Sequence, residues 1–217
     1  MLEVKNTDVW GFEHAIRGAR NPMNSWDKSD SGLVTMNEAD VELGYEPIYE
    51  HVLGENDLDL AKRLCKAGTD HRKFLRQIMV SVDINAPLYW WKEFDTYKVG
   101  TVANSCSTMH KIHAKEFTLD DFSTEHLEVG SMFLLRNVIN MLNEARENYI
   151  NTKDKVWWWQ TIQLLPSSYN QMRTVTLNYE VLRNMYHARK NHKLDEWHTF
   201  CDWIKTLPYS KELIIGE

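Results

Sequence analysis

Asn178 and Arg189 stand eleven residues apart in a stretch that also carries Leu182 and Met185. Eleven residues is close to three turns at 3.6 residues per turn, so on one helix the amide and the guanidinium share a face with those apolar side chains beneath them. Burying such groups is costly unless something pairs with them. The pairing partner is either a ligand, an anion or a nucleobase, or one of the chain's own 31 carboxylates. A second concentration of chemistry runs from Thr96 to Thr108 and packs hydroxyls, an amide, a thiol and Lys98 into thirteen residues. Small donors ahead of a helix start suit a phosphate, and the same composition describes a polar connecting loop. Within it Cys106 is either a nucleophile with His110 or His113 as its base or an inert thiol. His110 and His113 have a spacing that metal ligands use on a helix, but no third ligand stands near them. Trp90-Trp91 and Trp157-Trp158-Trp159 offer flat surfaces for a ring system such as a flavin, or fill core or a subunit interface.

Much is excluded. The nine glycines never come closer than seven positions, so neither G-x-G-x-x-G nor G-x-x-x-x-G-K-[ST] can be written. A nucleotide, if bound, is held by side chains and helix N-termini instead. G-x-S-x-G and H-E-x-x-H are absent too. Three cysteines, Cys65, Cys106 and Cys201, without a C-x-x-C pair give neither a disulfide framework nor a thiolate zinc site. A net charge of -6 provides no global field for nucleic acid. No apolar run approaches the roughly 18 residues a membrane span needs, and the first residues, with Glu3 early, do not have the layout of a secretory leader. The expectation is a cytoplasmic protein without membrane or nucleic-acid partners.

The elements that must position these groups are mainly helical. With 217 residues, 43% hydrophobic and 26% charged, the chain has the composition of one globular domain, taken as residues 1–217. A short strand through Val4 and Val9 precedes a helix over 14–20, and residues 21–56, with Pro22 and Pro47, read as a long irregular segment of the kind that is often functional. Capping and charge signals predict a helix at 57–67, alternation predicts a strand over 77–84, and Pro87 and Gly100 bracket a helix over 88–98. Further helices are expected at 131–149, 157–165, 170–190 and 196–206. The fold class is therefore α+β, mainly helical with at least one strand; the small antiparallel sheet packed with several long helices is what the family resemblance described next implies.

At Ala86-Pro87-Leu88-Tyr89, between a strand and a helix, the chain resembles the flavin-dependent thymidylate synthases. Five more pieces follow that family's order: Ala15-Ile16-Arg17-Gly18-Ala19-Arg20, Lys66-Ala67-Gly68 with Phe74, Leu165-Pro166, the Asn178 and Arg189 pair, and Glu196-Trp197. Counted without gaps from Ala86-Pro87, the family's R-H-R-x-x-S signature falls on Thr96, Tyr97, Lys98 and Thr101, its S-G-R on Cys106, Ser107 and Thr108, and its arginine ahead of the L-P step on Ile162. The resemblance implies a homotetramer with FAD between subunits. Its reaction would be reductive methylation of dUMP to dTMP with methylenetetrahydrofolate and NADPH. It assigns the catalytic, pyrimidine-binding role to Arg189, flavin binding to Thr96, Tyr97, Lys98 and Asn178, phosphate binding to Ser105 and Ser107 with Lys98, and no metal. Since only Lys98 of the three basic signature positions stays basic, the other reading is a nucleotide-binding homologue of that fold without catalysis.

Overall fold

The computed structural model describes residues 2–216. Four strands form an antiparallel sheet in the order β1-β4-β6-β5: β1 (Glu3–Trp10), β4 (Met79–Pro87), β6 (Asn170–Asn178) and β5 (Val102–Ser105). Strict alternation builds its inner face. Val80, Val82, Ile84 and Ala86 of β4 are buried while Ser81, Asp83 and Asn85 turn outward, and Val80↔Leu177 and Val82↔Val175 continue the apolar rows across β6. A one-residue slip would turn every one of these side chains over, so the register is strongly specified. On the outer face the Asp83 carboxylate accepts from Thr174 Oγ1 (2.6 Å) and from Asn6 Nδ2 (2.7 Å), and Asn6 takes a positive φ at the bulge in β1.

Helices cover the inner face: α1 (Phe12–Arg20), α3 (Glu55–Lys66), α4 (Leu88–Phe94), α7 (Tyr179–Arg189) and α8 (Asp195–Lys205) share one apolar core with the sheet. Gly11, at φ +95, starts α1 where a Cβ would sit 2.2 Å from the Gln77 carbonyl oxygen, so only glycine fits the turn. A separate smaller core, with Ile112, Phe117, Phe122, Leu135, Ile139 and Leu142, lies under α5 (Val129–Thr152), against which α6 (Lys155–Leu164) packs. Asp154 caps α6 by accepting from the Val156 N–H at 3.0 Å. Among the described residues no helix is long and apolar enough to cross a membrane.

Several expected elements are corrected. The helix predicted over 170–190 is two elements, β6 and α7. The run Thr174-Val175-Thr176-Leu177 pairs with β4 as a strand, because the β-branched letters suit an extended backbone that buries Val175 and Leu177 on one face and leaves the threonines on the other, which outweighs a helical reading. Asn178 is consequently the N-cap of α7 and does not share a helix face with Arg189. The helix over 88–98 stops at Phe94, where Thr96 Oγ1 donates to the Glu93 carbonyl (2.7 Å) and the chain turns away. The irregular 21–56 segment contains an arm: β2 (Gly32–Thr35) and β3 (Tyr49–Val52) pair antiparallel around a short α2 (Glu38–Glu42). Its root is fixed by Asp57, fully buried, which pairs with Arg20 Nε (2.5 Å) and accepts from Ser29 Oγ (2.7 Å) and Ser31 Oγ (2.6 Å).

Candidate functional site

Helix α4 leaves the end of β4 at Pro87, whose missing N–H costs nothing at a helix start. Trp90, Trp91 and Phe94 go into the core, so both tryptophans are structural rather than a stacking platform. Glu93 is left on the flank that meets α7 and α8. There its Oε2 accepts from Arg189 Nη1 (2.9 Å) and from Trp197 Nε1 (2.9 Å), with His192 Nε2 3.3 Å away. Arg189 Nε donates to the Tyr97 hydroxyl (2.9 Å), and the guanidinium carbon lies 4.9 Å from the Trp197 ring centroid and 5.6 Å from that of Tyr97. Arg189 thus has an intramolecular carboxylate, one of the two partners its sequence left open. Its Nη2 has no hydrogen-bond partner among the described residues, and 20% of the side chain stays exposed. The cluster is a half-buried cation held in one orientation with one donor edge free.

Next to it the turn after α4 forms a hollow of about 310 Å³ lined by Phe94, Asp95, Tyr97, Lys98, Thr101 and Ala103. Lys98 is exposed and has no carboxylate partner among the described residues, and Thr101 Oγ1 is shielded from solvent without a hydrogen-bond partner. Gly100 ties this turn to the start of α7. Its φ is +76, and a Cβ there would lie 2.8 Å from Asn178 Nδ2, while Asn178 Oδ1 accepts from the Val181 N–H (3.0 Å). Tyr97, Lys98, Asn178 and Arg189 are therefore brought to one neighbourhood even though they do not lie on one helix. Thr96 points its hydroxyl back into the helix end.

Ser105 and Ser107 lie elsewhere. Ser105 ends β5 opposite Arg173, exposed, and Ser107 Oγ accepts from the N–H groups of Met109 (3.2 Å) and His110 (2.8 Å). Ser107 and Cys106 line a cleft of about 520 Å³ with Lys111, Lys115, Tyr169 and Gln171, and this cleft shares no lining residue with the hollow at Lys98. Arg173 is held in the same way as Arg189: its Nε donates to Gln171 Oε1 (3.0 Å), its Nη1 donates to Asp95 Oδ1 (2.7 Å), and the guanidinium sits 4.2 Å over Trp91, with Nη2 unpartnered among the described residues. Among the described residues no cluster of three His, Cys, Asp or Glu could hold a metal ion. Burial pushes the Cys65 and Cys201 thiols up to about 11. Glu93 and His192 were missed in the sequence. The signal that would have found Glu93 is its place as the one carboxylate in a helix dominated by Tyr89, Trp90, Trp91 and Phe94.

Taken together, an antiparallel four-stranded sheet with helices on its inner face, a carboxylate-held arginine and two polar hollows define an α+β fold of the flavin-dependent thymidylate synthase type. The chain is similar to thymidylate synthase X (ThyX) from Helicobacter pylori, crystallised with FAD and dUMP, with a TM-score of 0.68 at 16% identity over 99% of this chain and 97% of that one. A second structure of the same enzyme with FAD and dUMP gives 0.67 at 14% identity, over 98% of this chain and 97% of that one. A UMP/dUMP methylase, PolB from Streptomyces cacaoi, bound with 5-Br dUMP, gives 0.59 at 13% identity over 100% of this chain and 95% of that one. No protein-family model and no curated protein sequence matches the chain.

Proposed function

We propose that the protein binds dUMP or a closely related deoxyuridine nucleotide and methylates it reductively, with FAD, methylenetetrahydrofolate and NADPH, as a homotetramer. The observation that carries this reading is the likeness along nearly the whole chain to H. pylori ThyX, whose structure holds FAD and dUMP. Arg189 is the pyrimidine-binding and catalytic residue. Glu93 and Tyr97 hold two of its nitrogens, and the free Nη2 donates to a ring carbonyl oxygen, polarising the pyrimidine. Ser105 and Ser107 take the nucleotide phosphate; the Ser107 oxygen already accepts two backbone N–H groups, so its O–H is left to donate.

The chemistry of the turn after α4 fits an anionic end of FAD. The unpartnered Thr101 hydroxyl and the Lys98 ammonium are the donors a phosphate needs, and Thr96, Tyr97 and Asn178 flank them. A hollow of about 310 Å³ takes only part of a dinucleotide, so the remainder rests on a neighbouring subunit. When bound, the flavin supplies the hydride transfer, and the chain supplies orientation and charge.

One observation favours a second reading. Arg189 already has a counter-charge in Glu93, which lowers its value as an anion or carbonyl receptor, and a nucleotide-binding scaffold without turnover would keep the pair as structure. The test is to purify the full chain, record its visible spectrum, and assay dTMP formation by mass spectrometry with all three small-molecule reactants. Bound flavin and dTMP formation that disappears in Arg189→Ala support the enzyme. Neither flavin uptake nor dTMP, with dUMP still raising the melting temperature, establishes the scaffold.

A further inference from the structure

The hydroxyls of Ser105 and Ser107 are by themselves a poor receptor for a phosphate, because a dianion needs a counter-charge as well as donors. The strand register supplies one. Ser105 pairs with Arg173 across β5 and β6, and directly opposite residues of an antiparallel pair point to the same face, with Cβ atoms about 4.5–5.5 Å apart. Cys106, the next residue, is tied to the same place: its N–H donates to the Met172 carbonyl (2.9 Å) and its carbonyl accepts from Gln171 Nε2 (2.6 Å). The amide that anchors the chain after Ser105 is therefore the one that also holds Arg173.

The Arg173 side chain is only 14% exposed. Its guanidinium lies over the buried Trp91, Gln171 Oε1 holds Nε, and Asp95 Oδ1 holds Nη1. Three contacts fix one orientation, so little side-chain entropy is left to lose when a ligand arrives. Asp95 does not cancel the charge, because it is 50% exposed and water screens it. Arg20 is the contrast. All three of its nitrogens are taken, by the fully buried Asp57 and by the carbonyls of Ser25 (3.2 Å) and Lys28 (2.9 Å), so it has nothing left to offer. Arg173 keeps Nη2 free and a positive field around it.

We propose that Arg173 receives a phosphomonoester together with the Ser105 hydroxyl, and so makes the protein select a nucleoside 5′-monophosphate over the nucleoside. Nη2 donates to one phosphate oxygen and Ser105 Oγ to another, while Gln171 and Asp95 are positioning residues that aim the guanidinium. The proposal rests on the reading above only in taking a deoxyuridine monophosphate as the ligand, and it adds a cation for the phosphate. The rival cation is Lys111, which is exposed and lines the cleft at Ser107.

The experiment is isothermal titration calorimetry on the full chain with dUMP in one series and deoxyuridine in the other, and FAD titrated in parallel by flavin fluorescence. Wild type, Arg173→Met, Arg173→Lys and Lys111→Met are compared, each with its melting temperature. Wild type should prefer dUMP, and Arg173→Met should weaken dUMP about tenfold or more while deoxyuridine and FAD are unchanged. A tenfold loss corresponds to about 1.4 kcal/mol. Arg173→Lys keeps the charge without the fork and should fall between the two; where Arg173→Met lowers the melting temperature, the lysine variant decides by the same criterion. No preference for dUMP in wild type, a preference that survives both Arg173 variants or depends on Lys111 instead, equal weakening of dUMP and deoxyuridine, or a loss of FAD affinity in place of dUMP affinity overturns the proposal. An Arg173-dependent preference in a protein that forms no dTMP sinks the methylation reading alone, and dTMP formation with a preference indifferent to Arg173 sinks this proposal alone.

Discussion

Replacing Glu93 by alanine should destabilise the protein by about 2–3 kcal/mol. Two contributions make up that figure. The Trp197 N–H is fully buried and has Glu93 Oε2 as its acceptor at 2.9 Å, so removing the carboxylate strands a buried donor, at about 1–3 kcal/mol. The ion pair with Arg189 is 20% and 34% exposed on its two sides, so solvent screens it and it adds no more than about 1 kcal/mol. For a chain of this length each kcal/mol shifts Tm by roughly 2–4 °C, so Tm should fall by roughly 4–12 °C. Glu93→Gln, which can still accept from Trp197, should lose less than half as much. Urea unfolding of Glu93→Ala, Arg189→Met and the double variant gives the coupling energy directly. A Glu93→Ala variant within about 0.5 kcal/mol of wild type, or a coupling of zero, would refute the view that this carboxylate holds α4, α7 and α8 together.

Asn178→Ala removes the cap of α7 and should cost about 1 kcal/mol in urea unfolding, and Gly100→Ala, at φ +76 against Asn178, should cost at least as much. Burial alone would raise the Asp57 pKa, but hydrogen bonds from Ser31, Ser29 and Arg20 outweigh it and hold the carboxyl at about 2, below its usual 3.8. A depressed folded pKa means the stabilisation is present above about pH 4 and is lost as pH falls toward 2, so pepsin should cut within residues 21–56 increasingly across that window, and equally at pH 4 and pH 2 if the reasoning is wrong. With Cys65 and Cys201 buried and pushed up to about 11, a thiol reagent at pH 8 should modify exposed Cys106 first and alone in the folded protein; rapid titration of three thiols would contradict the core assignment.

Helices with local start and stop signals were legible from the residues. The acids of the first turn and Gly68 just past the end mark α3, although its N-cap is Gly54 and not Asn56, and Pro166 follows α6. The strands β5 and β6 were not, because neither makes sense except beside β4: Val102 to Ser105 are exposed and carry no apolar alternation, and β6 runs into α7 with only Asn178 to mark the boundary. The arm was legible only as irregular sequence, since its strands are four residues long and bury no side chain. Of the site, Arg189 and the Tyr97-Lys98 turn could be named in advance, but their adjacency depends on Glu93, 96 positions from Arg189, and no local pattern encodes such a pairing. The inferred shared face of Asn178 and Arg189 failed for the same reason as the helix that carried it.

The two apolar clusters of the chain do not merge, and the cleft at Ser107 straddles them: Ile112 and Tyr169 belong to the α5 side, Gln171 and Met172 to the sheet. A seam between two cooperative units is where local opening costs least, because either side can loosen without exposing the other's interior. The width of that cleft is therefore a soft coordinate, set by how the two units lean together. Any molecule that grips both walls ties two folding units into one, and draws part of its binding free energy, with either sign, from the stiffness of the whole chain.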